Sequence, residues 1–543
     1  MAYLYPAVSL LAALALYRLI KRLRAIRLNG PSSPSFIFGN TKEIAEASNL
    51  AALYDEWAQM YGPVYRIRGP FGTDRLVVCD PKALAHHLAL DSWKYSHPPL
   101  ALLQIGMLTG PGNLLSTFGE AHTRLRKILN PLFAPAALRR YAPLMYDSVY
   151  KIFATWEAEL QASPNGEIMP DVSEWINNLS FDIIGLAAFS TDFKSLDGEK
   201  SPVAMALSAV GHAKPSPIAS KIFLLSQAVP ILFKLPLPRS KLVGDLSSAM
   251  DDVVDALIRA AESGKLEKEQ LGSALGVLLS NKELAPAEMR IHAKSILLSG
   301  FATTASGIKA RWALVELSMQ PKRQDRLRAE LLAKFPTTDP SYDDLSSTAL
   351  PYLDAVVREA LRLHPILAES SRVALEDDIL PLSAPIRTTS GALIDRLPIP
   401  KGTGITISMY WANSAESIWG ADGGEFKPER WLDGNAIPAA AQEYPGYHHT
   451  MIFSEGPRTC LGKGFALLET KARRSRLGVA ITSADRVFFV QIVLSLLIRK
   501  FVFIPRDGMD TKYDRAMYIG PHPKVAGEPG GRLPIRVRRV EAE

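Results

Sequence analysis

Cys460 is the residue of this chain best placed to do chemistry. It lies in the segment F-S-E-G-P-R-T-C-L-G at residues 453–462, and an apolar, helix-favouring run follows it. Glycines allow the backbone to approach a flat ligand closely, and the start of a helix favours negative charge on the sulfur. A lone cysteine is more commonly a buried structural residue. These surroundings favour instead a thiolate that faces a metal.

A second candidate lies in the stretch S-G-F-A-T-T at residues 299–304, inside a helix predicted over 286–320. A serine or threonine side chain can bond back to its own helix, so a glycine followed by threonines permits a local distortion. The simpler interpretation is a packed helix with two hydrogen-bonded threonines. The alternative, a functional groove at Thr303, depends on the motifs that surround it.

In each of two pairs of polar residues, the spacing places both members on the same face of their predicted helix. Glu359 and Arg362 are three apart in a predicted helix, which allows a charge-assisted pair. His122 and Arg126 are four apart in the stretch G-E-A-H-T-R-L-R, on another predicted helix. Such pairs are common on solvated helix surfaces, so neither is specific by itself.

The hydrophobic periodicity predicts a mostly α-helical protein with a small β portion. The predicted helices cover 136–160, 171–189, 246–263, 286–320 and 350–363. Strands are predicted over 64–68 and 75–79, and short strands and turns over 379–400. Cys79 follows an apolar run, so a buried strand position is the simpler interpretation for it.

The order of these motifs resembles that of the cytochrome P450 family. H-T-R-L-R, S-G-F-A-T-T, E-A-L-R, F-K-P-E-R-W and the cysteine loop follow one another as in that family, over nearly the whole chain. The resemblance implies the P450 fold and a heme b whose iron is bound axially by the thiolate of Cys460. It also implies that Thr303 acts in an oxygen-binding groove above the iron and helps to organise proton delivery.

The resemblance implies two further sets of residues. Those expected to bind the two heme propionates are His122, Arg126, Arg372 and Arg458. Those expected to form a buried structural network that supports the heme-binding core are Glu359, Arg362 and Arg430. In the first set the arginines would supply charge, and the histidine would donate a hydrogen bond.

The sequence departs from the family pattern at two places. Ala302 stands where the family usually has Asp or Glu, and alanine cannot relay the protons that cleavage of O2 needs. Either water and another side chain substitute, or more oxygen is lost as peroxide, or the reaction has different proton demands. Residues 472–486, with four arginines and a glycine, interrupt an expected helix. We interpret them as an insertion, either a retained intron in the gene model or a genuine loop.

Composition excludes several classes of protein. The chain has 543 residues, of which 47% are hydrophobic, enough for a large core and too many for a disordered protein. Two cysteines exclude a disulfide framework and fit a reducing compartment. The net charge of +7 is dispersed apart from clusters near both termini, which favours anionic lipid or an acidic partner over nucleic acid.

The N-terminal sequence predicts a single transmembrane helix. Residues 2–17 carry no charge, and lysines and arginines cluster over 18–27. A cleaved signal peptide is the alternative, but no basic region precedes the apolar stretch. By the positive-inside rule the protein would be single-pass in the endoplasmic reticulum membrane, with a cytosolic catalytic domain. We therefore divide the chain into an anchor with a basic flank (1–28), a proline-rich hinge (29–40) and a heme-thiolate catalytic domain (41–543).

The sequence contains no G-x-G-x-x-G strand–helix unit for NADPH or flavin. The resemblance therefore implies electrons from NADPH–cytochrome P450 reductase, with cytochrome b5 as a second candidate partner. We expect the apolar stretches 99–117 and 366–371 to be loops that select a hydrophobic small molecule. The apolar stretch 222–237 either packs in the core or dips into the membrane near a substrate entrance.

The resemblance is strongest to microsomal fungal members of the family. It predicts a monooxygenase that inserts one oxygen atom from O2 into an apolar molecule, in secondary-metabolite biosynthesis such as that of terpenoids. The alternatives are a fatty-acid or xenobiotic hydroxylase, a peroxide-using or rearranging heme-thiolate enzyme, and a heme protein without turnover.

Overall fold

A computed structural model describes residues 27–212, 216–235, 238–265, 273–300, 308–433, 436–463, 488–517 and 521–541. Three features of the sequence lie outside these ranges. They are the apolar N-terminal stretch, the pair Ala302 and Thr303, and the segment 472–486. The predictions made for them stay predictions.

Helices make up most of the described chain, as the sequence predicts, and many begin with proline at the first helical position. The helices are α1 (Thr41–Glu46), α2 (Leu50–Tyr61), α3 (Pro81–Leu90), α4 (Pro99–Thr109), α5 (Gly119–Leu129), α6 (Pro135–Ala162), α7 (Val172–Phe189), α8 (Pro202–His212), α9 (Pro217–Ser226), α10 (Pro238–Ala260), α11 (Ala274–Ser280), α12 (Pro286–Ser299), α13 (Ile308–Ser318), α14 (Pro321–Lys334), α15 (Tyr342–Ser346), α16 (Pro351–Leu363), α17 (Met409–Ser414), α18 (Glu416–Trp419), α19 (Ala439–Gln442) and α20 (Phe488–Lys500).

The strands form small sheets at the edges of the helical body. They are β1 (Val64–Arg68), β2 (Asp74–Val78), β3 (Tyr95–Ser96), β4 (Glu167–Ile168), β5 (Glu369–Ala374), β6 (Asp378–Arg387), β7 (Leu393–Ile399), β8 (Gly404–Ser408), β9 (Phe501–Pro505), β10 (Tyr513–Met517), β11 (Pro521–Val525) and β12 (Ile535–Arg539). The five-stranded sheet has the order β1-β2-β8-β5-β3, in which β2 pairs with β8 in parallel. The other sheets are β4-β12-β9 and the hairpins β6-β7 and β10-β11.

The largest core lies between the long helices and the sheet that contains β9. It includes buried apolar residues of α6, α7, α13, α16 and α20. Trp156 of α6 is fully buried and makes edge-to-face ring contacts with Trp175, Phe501 and Phe503. Each such pair adds about 0.5–1.5 kcal/mol beyond the burial of its area. This core holds α16, the helix that carries Glu359.

Two smaller cores hold the rest of the functional region. One packs α2, α3, α17 and the hairpin β6-β7 against the five-stranded sheet. The other lies among α5, α7, α10, α11 and α12. Leu461, the residue after Cys460, packs against this third core. The cysteine loop is therefore tied to the same apolar cluster as α12.

Several predicted boundaries were wrong. The helix predicted from 246 begins at Pro238, because its polar first turns hide the amphipathic pattern. The stretch 99–117, predicted to be a loop, contains α4, which starts at Pro99 and stops at Gly110 with φ of +95°. Part of the other predicted loop, 366–371, belongs to β5. Within the residues described, no helix has both the length and the apolar character needed to cross a bilayer.

Candidate active site

Close backbone packing holds the loop that carries Cys460. The Cys460 N–H donates to the carbonyl oxygen of Phe453 at 2.9 Å, and the Thr459 N–H donates to that of Gly456 at 3.1 Å. Gly456 has φ of +72°, and a Cβ atom there would collide with the carbonyl oxygen of Leu88. Both the conformation and the close approach of α3 therefore require glycine. The Cys460 residue itself is exposed.

Helix α5 is hydrogen-bonded to this loop. Arg126 donates from Nη1 to the carbonyl oxygen of Thr459 at 2.7 Å. Arg458 donates from Nη2 to the carbonyl oxygen of Thr117, just before α5, at 2.5 Å. His122 lies one turn before Arg126 and is buried. The structure thus brings His122, Arg126 and Arg458 together beside Cys460.

A buried carboxylate that the sequence analysis missed organises the arginines. Asp91 accepts hydrogen bonds from Nε of Arg372 at 2.9 and 3.0 Å. Nε of Arg458 lies 3.5 Å from Oδ1 of Asp91, but it is buried and makes no hydrogen bond. Nη1 of Arg372 lies 3.4 Å from Nδ1 of His97, a second residue that was missed. One carboxylate therefore faces two guanidinium groups and an imidazole nearby.

The excess of positive charge shifts the pKa values of the neighbouring groups. Burial and the charges of Arg372 and Arg458 lower the pKa of His97 to about 3. Burial and the charges of Arg458 and Arg126 lower the pKa of His122 to about 4. Burial also lowers the pKa of Arg458 to about 10. A ligand that carries carboxylates would be stabilised here, since it would compensate this charge.

The side chains of Glu359, Arg362 and Arg430 are in contact and nearly inaccessible to solvent. Arg362 makes a two-pronged pair with Glu359, with nitrogen–oxygen distances of 2.8 and 2.9 Å. Arg430 donates from Nε to the same carboxylate at 2.9 Å, and so does Nε1 of Trp431. Burial alone would raise the pKa of Glu359, but the hydrogen bonds and charges of the arginines outweigh it and lower that pKa.

This network is connected to the cysteine loop through Asn413. Arg362 donates from Nη1 to the Asn413 carbonyl oxygen at 2.7 Å. The side-chain oxygen of Asn413 accepts from the N–H of Met451 at 2.9 Å, two residues before Phe453. The carboxylate of Glu359 is thereby linked by hydrogen bonds to the start of the loop. It supports the loop and does not reach Cys460.

Helix α12 belongs to the third core, which also contains Leu461. Ile296 and Leu297 of α12 are buried in that core. Gly300 follows α12, and a Cβ atom there would overlap the side chain of Ile184 in α7. Glycine therefore lets the two helices pack closely. Ser299 is the last residue of α12, and Ala302 and Thr303 lie just beyond the described residues.

The structure brings together most of the residues that the motifs indicate. Arg372, on β5, is linked to the group beside Cys460 through Asp91, which also lies near Arg458. Neither Asp91 nor His97 belongs to a motif that the sequence analysis used. The available signal was weak, because each lies in a short connection close to β3 and far in sequence from its partners.

Comparison with known proteins identifies the family. The sequence model of the family "Cytochrome P450" matches residues 29–473. Cytochrome P450 monooxygenase claP of Ampulloclitocybe clavipes is 42% identical over 538 residues, which cover 96% of this chain and 95% of that protein. Cytochrome P450 monooxygenase claO of the same fungus is 41% identical, with coverage of 96% and 95%. Cytochrome P450 monooxygenase 205 of Postia placenta is 34% identical, with coverage of 82% and 83%. The chain belongs to the cytochrome P450 family, and it is a heme-thiolate monooxygenase.

Proposed function

We propose that Cys460 is the axial ligand of heme b in an enzyme that inserts one oxygen atom from O2 into an apolar small molecule. The observation that carries the proposal is the position of Cys460. Cys460 is exposed, and it lies at the end of a tightly packed loop, next to a group of cationic side chains. A thiolate and charge-compensating cations are what a heme with two propionates requires.

The residues present fit this group. The buried Nε of Arg458, which makes no hydrogen bond, is a donor available to a propionate. Arg126, Arg372 and His122 are the other residues assigned to propionate binding, although the guanidinium of Arg372 is shared with Asp91. When bound, heme supplies the oxidising power, and the protein supplies ligation, pocket shape and the routing of protons.

The proposed distal residue is Thr303. Its assignment depends on its place in the S-G-F-A-T-T stretch, directly after helix α12. The proposed supporting network of Glu359, Arg362 and Arg430 has contacts that suit a role behind the loop. These residues and the cysteine loop all lie within the catalytic domain that we assign to 41–543.

We assign a hydrophobic substrate, in fungal secondary metabolism. Helix α4 is almost entirely apolar, and most of its side chains are only half-buried, so they are available to contact an apolar substrate. A Cβ atom at Gly110, where α4 ends, would press on Ile291 of α12, which places the two helices in contact. Product analysis after feeding terpenoids and, as competitors, fatty acids would separate the two substrate classes.

The electron donor that we propose is NADPH–cytochrome P450 reductase, with cytochrome b5 as a second donor. The net charge of +7 suits an acidic partner, because complementary charge accelerates encounter. Turnover should therefore require the reductase and fall steeply with rising ionic strength.

We propose a single-pass location in the endoplasmic reticulum membrane with a cytosolic catalytic domain. The uncharged residues 2–17 and the basic cluster after them support it. Ile218, Ile231 and Leu235 are exposed apolar side chains on and after α9, which suits contact with lipid. Protease protection in microsomes tests the orientation, since digestion of the catalytic domain in intact vesicles is the expected result.

The first experiment is the absorbance difference spectrum of the dithionite-reduced, carbon monoxide-bound protein in membranes. The red-shifted Soret band of a thiolate-ligated heme is expected, and Cys460→Ser should remove it. Heme with a blue-shifted band in the wild-type protein would contradict axial ligation by Cys460.

A peroxide-using or rearranging heme-thiolate enzyme is the second candidate, and Ala302 is the observation that favours it. An enzyme of this kind would turn over with hydrogen peroxide, or with substrate alone. Its rate would be the same with and without reductase. Product formation that depends strictly on NADPH and reductase would exclude it.

A further inference from the structure

Helix α12 carries a line of polar residues along one face. Glu288, His292, Ser295 and Ser299 follow one another at spacings of four, three and four residues. Side chains at these spacings share one face of an α-helix. The next position of the same pattern is Ala302, where the family usually has an acid.

His292 is the most unusual member of this line. It is 1% exposed, and neither ring nitrogen has a hydrogen-bond partner in the described structure. Burial lowers the pKa of His292 below the ordinary value, which favours the neutral imidazole. An orphaned buried polar group in a native protein requires an explanation, and the common ones are bound water and a catalytic role.

The outer end of the line reaches solvent. Glu288 accepts a hydrogen bond from Nη2 of Arg124 at 2.8 Å, and the two side chains are 37% and 42% exposed. Glu288 is one turn from His292, and the charges of Glu288 and Arg124 are those that act on this imidazole. The other charged side chains of α12 are engaged elsewhere: Lys294 pairs with Asp251 and Arg290 pairs with Asp255, both on α10.

The inner end of the line lies at the end of α12. Ser295 donates to the carbonyl oxygen of Ile291 at 2.8 Å, which leaves its oxygen lone pairs available to accept. The helical rise places His292 about 10 Å from Ser299 along the axis, so water molecules must bridge the side chains. Both serines are only half-buried, in contrast to His292. Water can therefore reach both serines.

We propose that His292, with Ser295 and Ser299, forms a water-bridged proton path along α12 that replaces the missing acid at position 302. The inference rests on the proposed function and concerns the route by which protons reach the active site. The overall reaction converts RH, O2, two electrons and two protons into ROH and H2O. The O–O bond breaks, a C–O bond replaces a C–H bond, and both protons end in the water. His292 accepts a proton at one ring nitrogen from water on the Glu288 side and then releases the proton of the other ring nitrogen toward Ser295, so the imidazole is neutral before and after the transfer.

The test compares the variant His292→Asn with the double variant His292→Asn, Ala302→Asp. If His292 delivers protons, His292→Asn should lower product formed per NADPH by roughly tenfold and raise peroxide release. A positioned proton donor raises the reaction rate by roughly 10²–10⁴-fold, and protons from bulk water would restore part of this rate in the variant. An acid at position 302 should restore most of the coupling, whereas a purely structural role of His292 would not be rescued there.

Two controls accompany this comparison. Leu297→Met alters a buried side chain on the face of α12 opposite the polar line, and coupling should not change. Every variant must keep the red-shifted carbon monoxide band, so that a loss of heme is not mistaken for a loss of protons. A normal band together with unchanged coupling in His292→Asn would overturn the proton path and leave the proposed function intact. Loss of the band in the wild-type protein would overturn the proposed function instead.

A second measurement does not depend on turnover. Exchange of the C2 hydrogen of histidine for deuterium, followed by mass spectrometry, reports the contact of each imidazole with water. His87 is a matched reference, because it is equally buried and its pKa is also lowered. We expect His292 to exchange at least about tenfold faster than His87, since a water-bridged group has access to solvent. Equal, slow exchange of the two would show a dry imidazole and overturn the proposal.

Discussion

Arg126 donates a hydrogen bond from Nη1 to the carbonyl oxygen of Thr459, at 2.7 Å, one residue before Cys460. The guanidinium therefore positions the backbone of the cysteine loop, and it can also compensate a propionate. The resemblance to the cytochrome P450 family implies only the second of these roles. A single arginine thus joins α5 to the cysteine loop, and the same side chain is the one assigned to a propionate.

Replacing Arg126 by Met should lower the proportion of heme that keeps thiolate ligation. A hydrogen bond from a charged donor contributes about 1.5–3 kcal/mol, and a propionate would lose its cation as well. Lys127→Met is the matched control, because Lys127 is the next residue of the same helix and is exposed. The ratio of red-shifted to blue-shifted carbon monoxide bands measures the effect. Equal ratios in the two variants would contradict the positioning role.

Replacing Arg430 by Leu should prevent stable assembly of the heme domain. The change leaves the buried carboxylate of Glu359 with one arginine, and the loss of one partner from a buried pair costs about 3–5 kcal/mol. Glu429→Gln is the control. Its surface pairs with Arg323 and Arg326 contribute about 0–1 kcal/mol each. Heme content after purification should fall sharply in the first variant and little in the second.

The sequence predicts those parts of the site that lie on regular elements. Glu359 and Arg362 are three apart on one helix, so their contact follows from helical geometry alone. Asp91 could not be found in this way. It pairs with Arg372 across 281 positions of sequence, and the contact depends on how β5 lies against the end of α3. Long-range packing of this kind has no local periodicity from which it could be read.

The same limit applies to the predicted boundaries of helices and strands. Val64–Arg68 alternates in a way that predicts a strand, and β1 has these bounds. α10 begins eight residues before its predicted start, because proline, serine and glycine in its first eight residues weaken the local helical pattern. Local pattern predicts a helix where the pattern is strong, and the rest of the fold supplies the remaining boundaries.

Replacing Gly456 by Ala should displace the cysteine loop. The new Cβ would collide with the carbonyl oxygen of Leu88, and the residue would be held at a φ of +72°. Gly508→Ala separates the two effects, because Gly508 has φ of +69° with open space around it. The left-handed conformation alone costs about 1–2 kcal/mol. We expect Gly508→Ala to lower only the thermal midpoint and Gly456→Ala to abolish the red-shifted carbon monoxide band.

Acid should destabilise the heme-free protein through His122. Its folded pKa of about 4 lies below the ordinary value of about 6.5. The contribution of neutral His122 to the free energy of unfolding is therefore complete above pH 6.5, and it is lost as the pH falls toward 4. Near pH 5, unfolding of the wild type should take up about one proton more than unfolding of His122→Gln. The slope of the unfolding free energy against pH measures this difference.

Bound heme should reduce this acid sensitivity. A propionate beside His122 would favour the imidazolium form and raise the folded pKa toward the unfolded value. The difference in slope between wild type and His122→Gln should then shrink in the heme-loaded protein. An unchanged difference would place the propionates away from His122.

Deleting residues 472–486 should raise the yield of correctly ligated heme if the segment is an insertion. The family match ends at residue 473, and α20 begins at Phe488 with an almost wholly buried apolar sequence that packs against α14 and α16. A helix that ran directly from the cysteine loop into α20 would place this apolar sequence without a long basic interruption. Carbon monoxide spectra of the full and shortened chains, at equal expression, measure the yield. Transcripts that retain the segment, together with a lower heme content after deletion, would identify it as a genuine part of the enzyme.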